Sequence, residues 1–356
     1  LALRRAAGDE HFAPYPTERL IGVELSYRRL RPFTWAWVLF ILGGTLTAVG
    51  MARSTAVRRH PLVRIGEIAT VLGTLLVAVG LTARVLITSW GAVTNMYETL
   101  IFVALIVAVL GLILTRITGN AQYAVAAGIG AGLCAMVGEA LPPDLGQNLS
   151  QLKAVLRSKF WLWIHVKTIV ASYAAFVLAW VLGNLVLARA ALERRAVTAD
   201  ESRAIYRALQ VGIVLVAAGT LLGGFWAKVS WGRFWGWDPK EIGALIILLT
   251  YLIPLHLRHI GAVGPTGLTV WSVLGFFSVV MSWWGVNFLL GTGLHAYATG
   301  HGFGEASWDT VVIGVLSLIQ LVVVAVEWQT LRSVRHAALA APAGPSAAGP
   351  SGDRPS

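Results

Sequence analysis

The chain has one cysteine in 356 residues, Cys134, and it sits inside an apolar run. A disulfide framework, a C-x-x-C redox pair and a cysteine-based zinc site are therefore excluded. Charge is scarce too. Asp, Glu, Lys and Arg together make up 13% of the residues, against about a quarter in an ordinary soluble domain. Acids are the scarcer sign, 17 against 28 Lys plus Arg, for a net charge of +11. No G-x-x-x-x-G-K-[ST] phosphate loop occurs. No paired carboxylates or nucleophile–base arrangement stands out for acid–base or covalent catalysis.

Apolar length is what the chain has in abundance. Hydrophobic residues make up 56% of it, and the mean hydropathy is +0.71. Runs of about 20 apolar residues, enough to cross a bilayer core, recur throughout. They fall near 33–52, 65–88, 97–115, 121–141, 160–188, 209–227, 242–257, 268–290 and 310–329. Inside lipid each run must close its own backbone hydrogen bonds, so each is a helix. The expected fold is all-α, a polytopic integral membrane bundle of about 8–9 transmembrane helices. Residues 1–33 form a charged amino-terminal segment, 34–330 the membrane-embedded domain, and 331–356 a tail. The tail ends in Ala, Pro, Gly and Ser, which cannot build a core and read as disordered.

The arginines orient the bundle. Arg53, Arg58, Arg59 and Arg64 follow the first span, and Arg189, Arg194, Arg195, Arg203 and Arg207 follow the fifth. Arg258, Arg332 and Arg335 fall on the same side, which the positive-inside rule assigns to the cytoplasm. Arg28, Arg29 and Arg31 run against this scheme, because they precede the first span on the opposite side. The net charge then reflects cytoplasmic loops. No nucleic-acid partner is expected, since no folded basic domain exists to carry one.

In that topology twelve of the fifteen tryptophans lie at or near the outer face, all but Trp180, Trp271 and Trp328. An ordinary aromatic belt decorates both interfaces, so this asymmetry fits a large flat apolar ligand on the outer side. Belt residues are the plainer reading of Trp35, Trp37, Trp90 and Trp308. Of the eight histidines, His11, His60, His259 and His336 read as solvated, and His301 lies in a Gly-rich outer loop. His165 stands at the outer entrance of the fifth span beside Trp161 and Trp163. His295 lies in the outer loop after the eighth span, and His256 near the inner end of the seventh. A lone helical histidine is more often a core residue than a ligand. Two of them flanking a Trp-rich loop fit haem, whose iron takes imidazole axially and whose ring suits aromatic stacking. Lys228, Arg233, Lys240 and Arg84 are the cations placed to meet its propionates or to serve as structural contacts. A transporter with an aromatic outer gate competes with this reading.

The Trp-rich loop ends in "WDPKE". Asp238 as N-cap, Pro239 in the first turn and Glu241 as the capping-box acid predict a helix start there.

"WGRFWGWDPKE", residues 231–241, resembles the tryptophan-rich WWD signature of the haem-handling proteins of cytochrome c biogenesis. Within that group the chain resembles the CcsA/ResC-type subunit of the CcsBA (ResBC) cytochrome c synthase. "TNMYET", residues 94–99, is similar to the family's outer loop and contributes Asn95, Tyr97 and Glu98, with Arg84 upstream. "WIHVKTIVASYAAF" and "GVNFLLGTGLHAY" resemble the segments that carry the two external histidines, and the seventh span ends in "LH". The motifs stand in the family's order and cover roughly residues 65–328.

The resemblance implies His165 and His295 as external axial ligands of haem iron. It implies a platform of Trp226, Trp231, Trp235, Trp237 and Asp238, and an inner membrane haem site at His256. It further implies haem b as cargo, a ResB/CcsB-like membrane subunit that supplies a second inner histidine, and apocytochrome c as acceptor. A thiol-reducing, thioredoxin-like partner and a haem lyase role belong to the same expectation, as does the bacterial cytoplasmic membrane, with the WWD loop outside and the carboxyl tail inside. Delivery of haem to a periplasmic chaperone is the nearest alternative, and a haem-free transporter is the alternative of another class. The charged amino terminus and Gly236, where a bulkier residue is ordinary, depart from the pattern.

Overall fold

The structure, a computed structural model, describes residues 17–53, 60–89, 91–141, 159–290 and 308–340. The described residues are helical and contain no strand. Among the described residues nine helices are long and apolar enough to cross a membrane, and each coincides with one of the runs read from hydropathy.

Thr17 caps α1 (Glu18–Leu30), which stops at Arg31 in the left-handed region, φ 44°. Pro32 then opens α2 (Pro32–Arg53). His60 accepts from the amide of Leu62 and starts α3 (Pro61–Thr88), so one histidine read as solvated is an N-cap. Asn95 caps α4 (Met96–Thr118), and α5 (Gln122–Ala140) follows. A single turn, Lys159–Trp161, and a π-helical stretch, Leu162–Val166, lead into α6 (Lys167–Leu192). Thr198 and Glu201 form a capping box at α7 (Ala199–Trp231), and Asp238 and Glu241 form another at α8 (Pro239–His259), as "WDPKE" predicted.

The eighth span, Pro265–Leu290, crosses as one candidate membrane helix, made of α9 (Pro265–Leu274), α10 (Phe276–Val280) and a π-helical stretch, Met281–Leu290. Gly275 joins α9 to α10, and a Cβ there would press on Trp271 O and the Tyr251 ring, both at 2.9 Å. The last helix, α11 (Trp308–Ala340), runs past residue 330. Residues 331–340 are therefore helical, because Leu, Arg and Ala are strong helix formers and the next proline is Pro342.

α6 is the axle of the bundle. It touches α4, α5, α7, α9, α10 and α11. A helix apolar on all sides belongs in the interior, and its Phe176 stacks on Tyr251 of α8 at 4.3 Å. α2 and α3 cross through small residues instead. A Cβ on Gly66 would meet Thr47 Oγ1 and would lie 2.6 Å from Gly43 O, and one on Gly43 would lie 2.7 Å from Gly66 O. Close backbone approach of this kind drives helix association in lipid, where tails and side chains are equally apolar.

α8 contains Pro254, which has no amide hydrogen for Thr250 O. The indole Nε1 of Trp271 donates to that carbonyl at 2.8 Å. Trp271 thus repairs a break in the helix ladder.

Gly66→Ala should lower the detergent-solubilised melting temperature by the equivalent of about 1–3 kcal/mol through overpacking. Gly22→Ala, which meets nothing within 4 Å, should leave it unchanged or raise it by up to about 1 kcal/mol through helix propensity. Equal melting temperatures for Gly66→Ala and the unaltered chain would refute the close crossing.

Candidate functional site

His165 lies in the π-helical stretch that precedes α6. Such a stretch widens the turn and re-aims the side chains on it, and π-turns recur at functional sites. The Nδ1 of His165 is 2.9 Å from Gly219 O on α7. A carbonyl only accepts, so Nδ1 is the nitrogen that donates in this contact. The ring stacks on Trp226, with centroids 5.9 Å apart and planes 17° from parallel. Gly223 makes the space, since a Cβ there would sit 2.6 Å from His165 Cε1. Trp226 in turn meets Trp231 edge-on at 4.8 Å.

The chain leaves α7 through Gly232, φ 74°, and crosses to α8. Phe234 folds back onto the helix it has just left, edge-on to Phe225 at 5.4 Å. One carboxylate organises the crossing. Glu241 Oε1 accepts from Arg233 Nη1 at 2.9 Å, and Oε2 accepts from the amides of Gly236 at 2.7 Å and Asp238 at 3.1 Å. The Arg233 guanidinium lies against Gly236 so closely that a Cβ there would collide with it. That contact accounts for glycine where the resemblance leads one to expect a larger residue. Trp237 is 67% exposed and left-handed, φ 58°, a conformation costly for a bulky residue. It meets Trp235 edge-on at 5.7 Å. The platform residues therefore form two sets, Trp226 and Trp231 on the His165 side, and Trp235 and Trp237 together in the loop. Asp238 is buried as the N-cap of α8.

Three of the four cations are engaged by the protein itself. Arg233 binds Glu241 and lies 5.8 Å from the centre of the Trp231 ring. Lys240 Nζ donates to Ser282 O at 3.0 Å and reaches Trp283 O at 3.5 Å, fastening α8 to the 281–290 stretch. Arg84 is buried in an ion pair with Glu98 at 2.9 Å. Lys228 is exposed on the last turn of α7. Asn95 Oδ1 accepts from the Glu98 amide at 2.9 Å, and Tyr97 donates to Glu139 at 2.9 Å. The "TNMYET" loop is thus held by its own motif residues.

His256 lies elsewhere, in the last turn of α8 and on an exposed face. Its Nδ1 is 2.9 Å from Leu252 O, so Nδ1 donates in this contact as in His165. Exposed Ile242, Ile246, Leu249 and Ile253 align with it along the helix. At 1.5 Å per residue, His256 stands roughly 27 Å along the axis from Asp238. His295 and His301 lie outside the described residues, as does Trp90.

Several site residues escape sequence reasoning. Gly219 and Gly223 carry no motif signal, and the Arg233–Glu241 pair spans a loop whose path is not encoded in spacing. Lys167, whose Nζ lies 3.2 Å over the Trp163 ring, and Glu139, bound by both Thr34 and Tyr97, were equally hidden. The i,i+4 spacing of Trp163 and Lys167 was the one signal available.

Residues 93–295 match the family described as cytochrome C assembly protein. Protein NrfI of Wolinella succinogenes is 31% identical over 299 residues, 80% of this chain, and the chain spans only 32% of its length. The cytochrome c biogenesis protein CcsA of a Synechococcus strain is 33% identical over 262 residues, covering 63% of this chain and 85% of that protein. CcsA of a Prochlorococcus marinus strain is 30% identical over 266 residues, with 83% of that protein covered. Among solved structures, a cytochrome c haem lyase, CcmF, shares the fold, with a TM-score of 0.53 at 12% identity. The match covers 92% of this chain and 53% of that one. The matched region runs from the Thr94 loop through His165 and the WWD crossing, and the chain belongs to the cytochrome c assembly protein family as a multi-pass membrane protein of CcsA type.

Proposed function

We propose that the chain binds haem b, conducts it across the bacterial cytoplasmic membrane and presents it at the outer face for covalent attachment to apocytochrome c. The observation that carries this reading is the His165 ring. Its Nδ1 is held against Gly219 O, and its face lies within 17° of parallel to Trp226. A ligand imidazole needs this kind of second-shell support. His295 is the second outer ligand. The WWD crossing, with Trp231, Trp235 and Trp237 locked by Glu241, is the shelf for the porphyrin, and the carboxyl tail is cytoplasmic.

The engaged cations refine the charge account. Arg84, Arg233 and Lys240 shape the site, and exposed Lys228 is the cation left to meet a propionate. His256 is the inner site, received from the cytoplasmic side. Its place among exposed aliphatic residues supports a membrane partner, because a polar ring facing lipid is costly unless another helix covers it. The match to a much longer NrfI supports the same point, and a ResB/CcsB-like subunit is the partner proposed.

The chemistry asks little of the protein beyond placement. Each thiol of the acceptor C-x-x-C-H motif adds across a haem vinyl group. A carbon–sulfur bond forms, the thiol hydrogen ends on the neighbouring carbon, and no electrons are exchanged. The acceptor's histidine replaces one protein ligand. Both cysteines must arrive reduced, which calls for a thioredoxin-like donor. The catalytic contribution is orientation, which can supply several kcal/mol, up to about 7–11.

Expressed with its partner, the chain should show a bis-histidine haem spectrum. His165→Ala and His295→Ala should each abolish cytochrome c maturation, and added imidazole should restore part of it. Full maturation by the double variant would overturn the ligand assignment. Gly223→Ala should reduce bound haem about tenfold at unchanged yield, because a Cβ 2.6 Å from His165 Cε1 forces the ring to shift, and overpacking of this kind costs about 1–3 kcal/mol. A chain purified free of haem from haem-replete cells would instead favour a haem-free transporter.

A further inference from the structure

No residue of α1 is fully buried, and its Leu20, Ile21, Val23 and Tyr27 are half-buried. The helix is held through Tyr27. The Tyr27 ring meets Phe33 edge-on at 6.0 Å, Phe33 meets Tyr97 in the same way at 6.0 Å, and the hydroxyl accepts from Arg84 Nη1 at 3.3 Å. Arg84 is 2% exposed. Its Nε donates to Glu98 Oε1 at 2.9 Å, and its guanidinium also lies 5.0 Å from the centre of the Tyr97 ring. The other oxygen of Glu98 accepts from the amide and hydroxyl of Thr94, at 2.9 and 2.6 Å.

Thr94 ends a stretch that would not hold its shape unaided. Ser89, φ 59°, and Val93, φ 79°, are both left-handed without being glycine, and for a β-branched valine this is a strained conformation. Within that stretch Gly91 sits against Trp163, with its Cβ position 3.3 Å from Trp163 Cδ1. Trp163 belongs to the π-helical stretch of His165 and precedes it by two residues. Residues two apart on such a wide turn point to nearly opposite sides. The Thr94 loop therefore buttresses one side of the stretch while His165 meets α7 on the other.

We propose that α1 is a brace for the haem-ligand turn, and that Tyr27 is a positioning residue acting through Arg84, Glu98 and the 89–95 loop on His165. The proposal rests on His165 being a ligand, as argued above. It gives the amino-terminal helix, and the arginines that defy the positive-inside pattern, a role at the WWD end of the bundle. The helix stays there because a side-chain contact ties it to α3.

Tyr27→Phe in the full chain with its partner removes one hydroxyl and keeps the ring contact with Phe33. Hydrogen–deuterium exchange of the peptide covering residues 89–98 should quicken about three- to tenfold, the effect of one ordinary hydrogen bond. The low-spin ferric electron paramagnetic resonance signal of the bound haem should shift, with haem content unchanged. Arg29→Ala, an exposed charge on the same helix, should do neither. Unchanged exchange would overturn the brace. Faster exchange with an unshifted signal would overturn its transmission to His165. His165→Ala that keeps its haem would refute the ligand reading, and the exchange result would still decide the brace.

Discussion

Inside lipid a backbone carbonyl or amide that misses its partner has no water to turn to, and the same demand for a partner is met by side chains where the described helices are interrupted or end. Pro254 withdraws an amide, and the indole of Trp271 takes over Thr250 O. The loop from α7 to α8 leaves the amides of Gly236 and Asp238 without helix partners, and Glu241 accepts from both. Gly219 O accepts from His165 Nδ1. In each case a side chain that satisfies the backbone also acquires a fixed orientation. Stability and site geometry thus share the same hydrogen bonds.

The WWD crossing shows how much can depend on one carboxylate. Glu241 caps α8, pins two loop amides and neutralises Arg233. With the crossing tied down, Trp237 keeps a backbone conformation that few bulky residues adopt. Tryptophans on a mobile loop would cost conformational entropy on binding, whereas a shelf built in advance avoids that cost. The cations follow the same logic. An arginine or lysine near a ring of tryptophans suggests a partner for a propionate, yet Arg84, Arg233 and Lys240 have partners within the protein. In surroundings of low dielectric an unpaired charge is costly, so the fold settles its own charges first.

Much of this architecture could be read in advance, because membrane helices obey simple rules. The nine spans follow from hydropathy, since length and apolarity are all that crossing requires. The start of α8 at Asp238 follows from its N-cap, proline and capping-box acid, which are local interactions within one turn. What stayed hidden was non-local. The close approach of Gly275 to the ring of Tyr251 is one such contact, and nothing in "VLGFF" announces it. The helical extension to Ala340 was masked by the Pro- and Gly-rich residues that follow. Tyr27 looked like part of an unplaced charged segment until its hydroxyl was found on Arg84.

The sequence by itself determined that the chain is a membrane bundle, which residues could ligate iron or stack on a flat ring, and roughly where each membrane span lies. Those properties depend on composition, period and contacts within a few residues. Only the tertiary structure decided that Nδ1 of His165 meets Gly219 O, that Trp226 rather than the loop tryptophans lies nearly parallel to it, and that Tyr27 of α1 meets Arg84 and, through it, Glu98. A ring-nitrogen contact, a stacking plane and a chain of hydrogen bonds each need atoms from distant parts of the sequence at separations of about 3–6 Å, and only folding sets such distances.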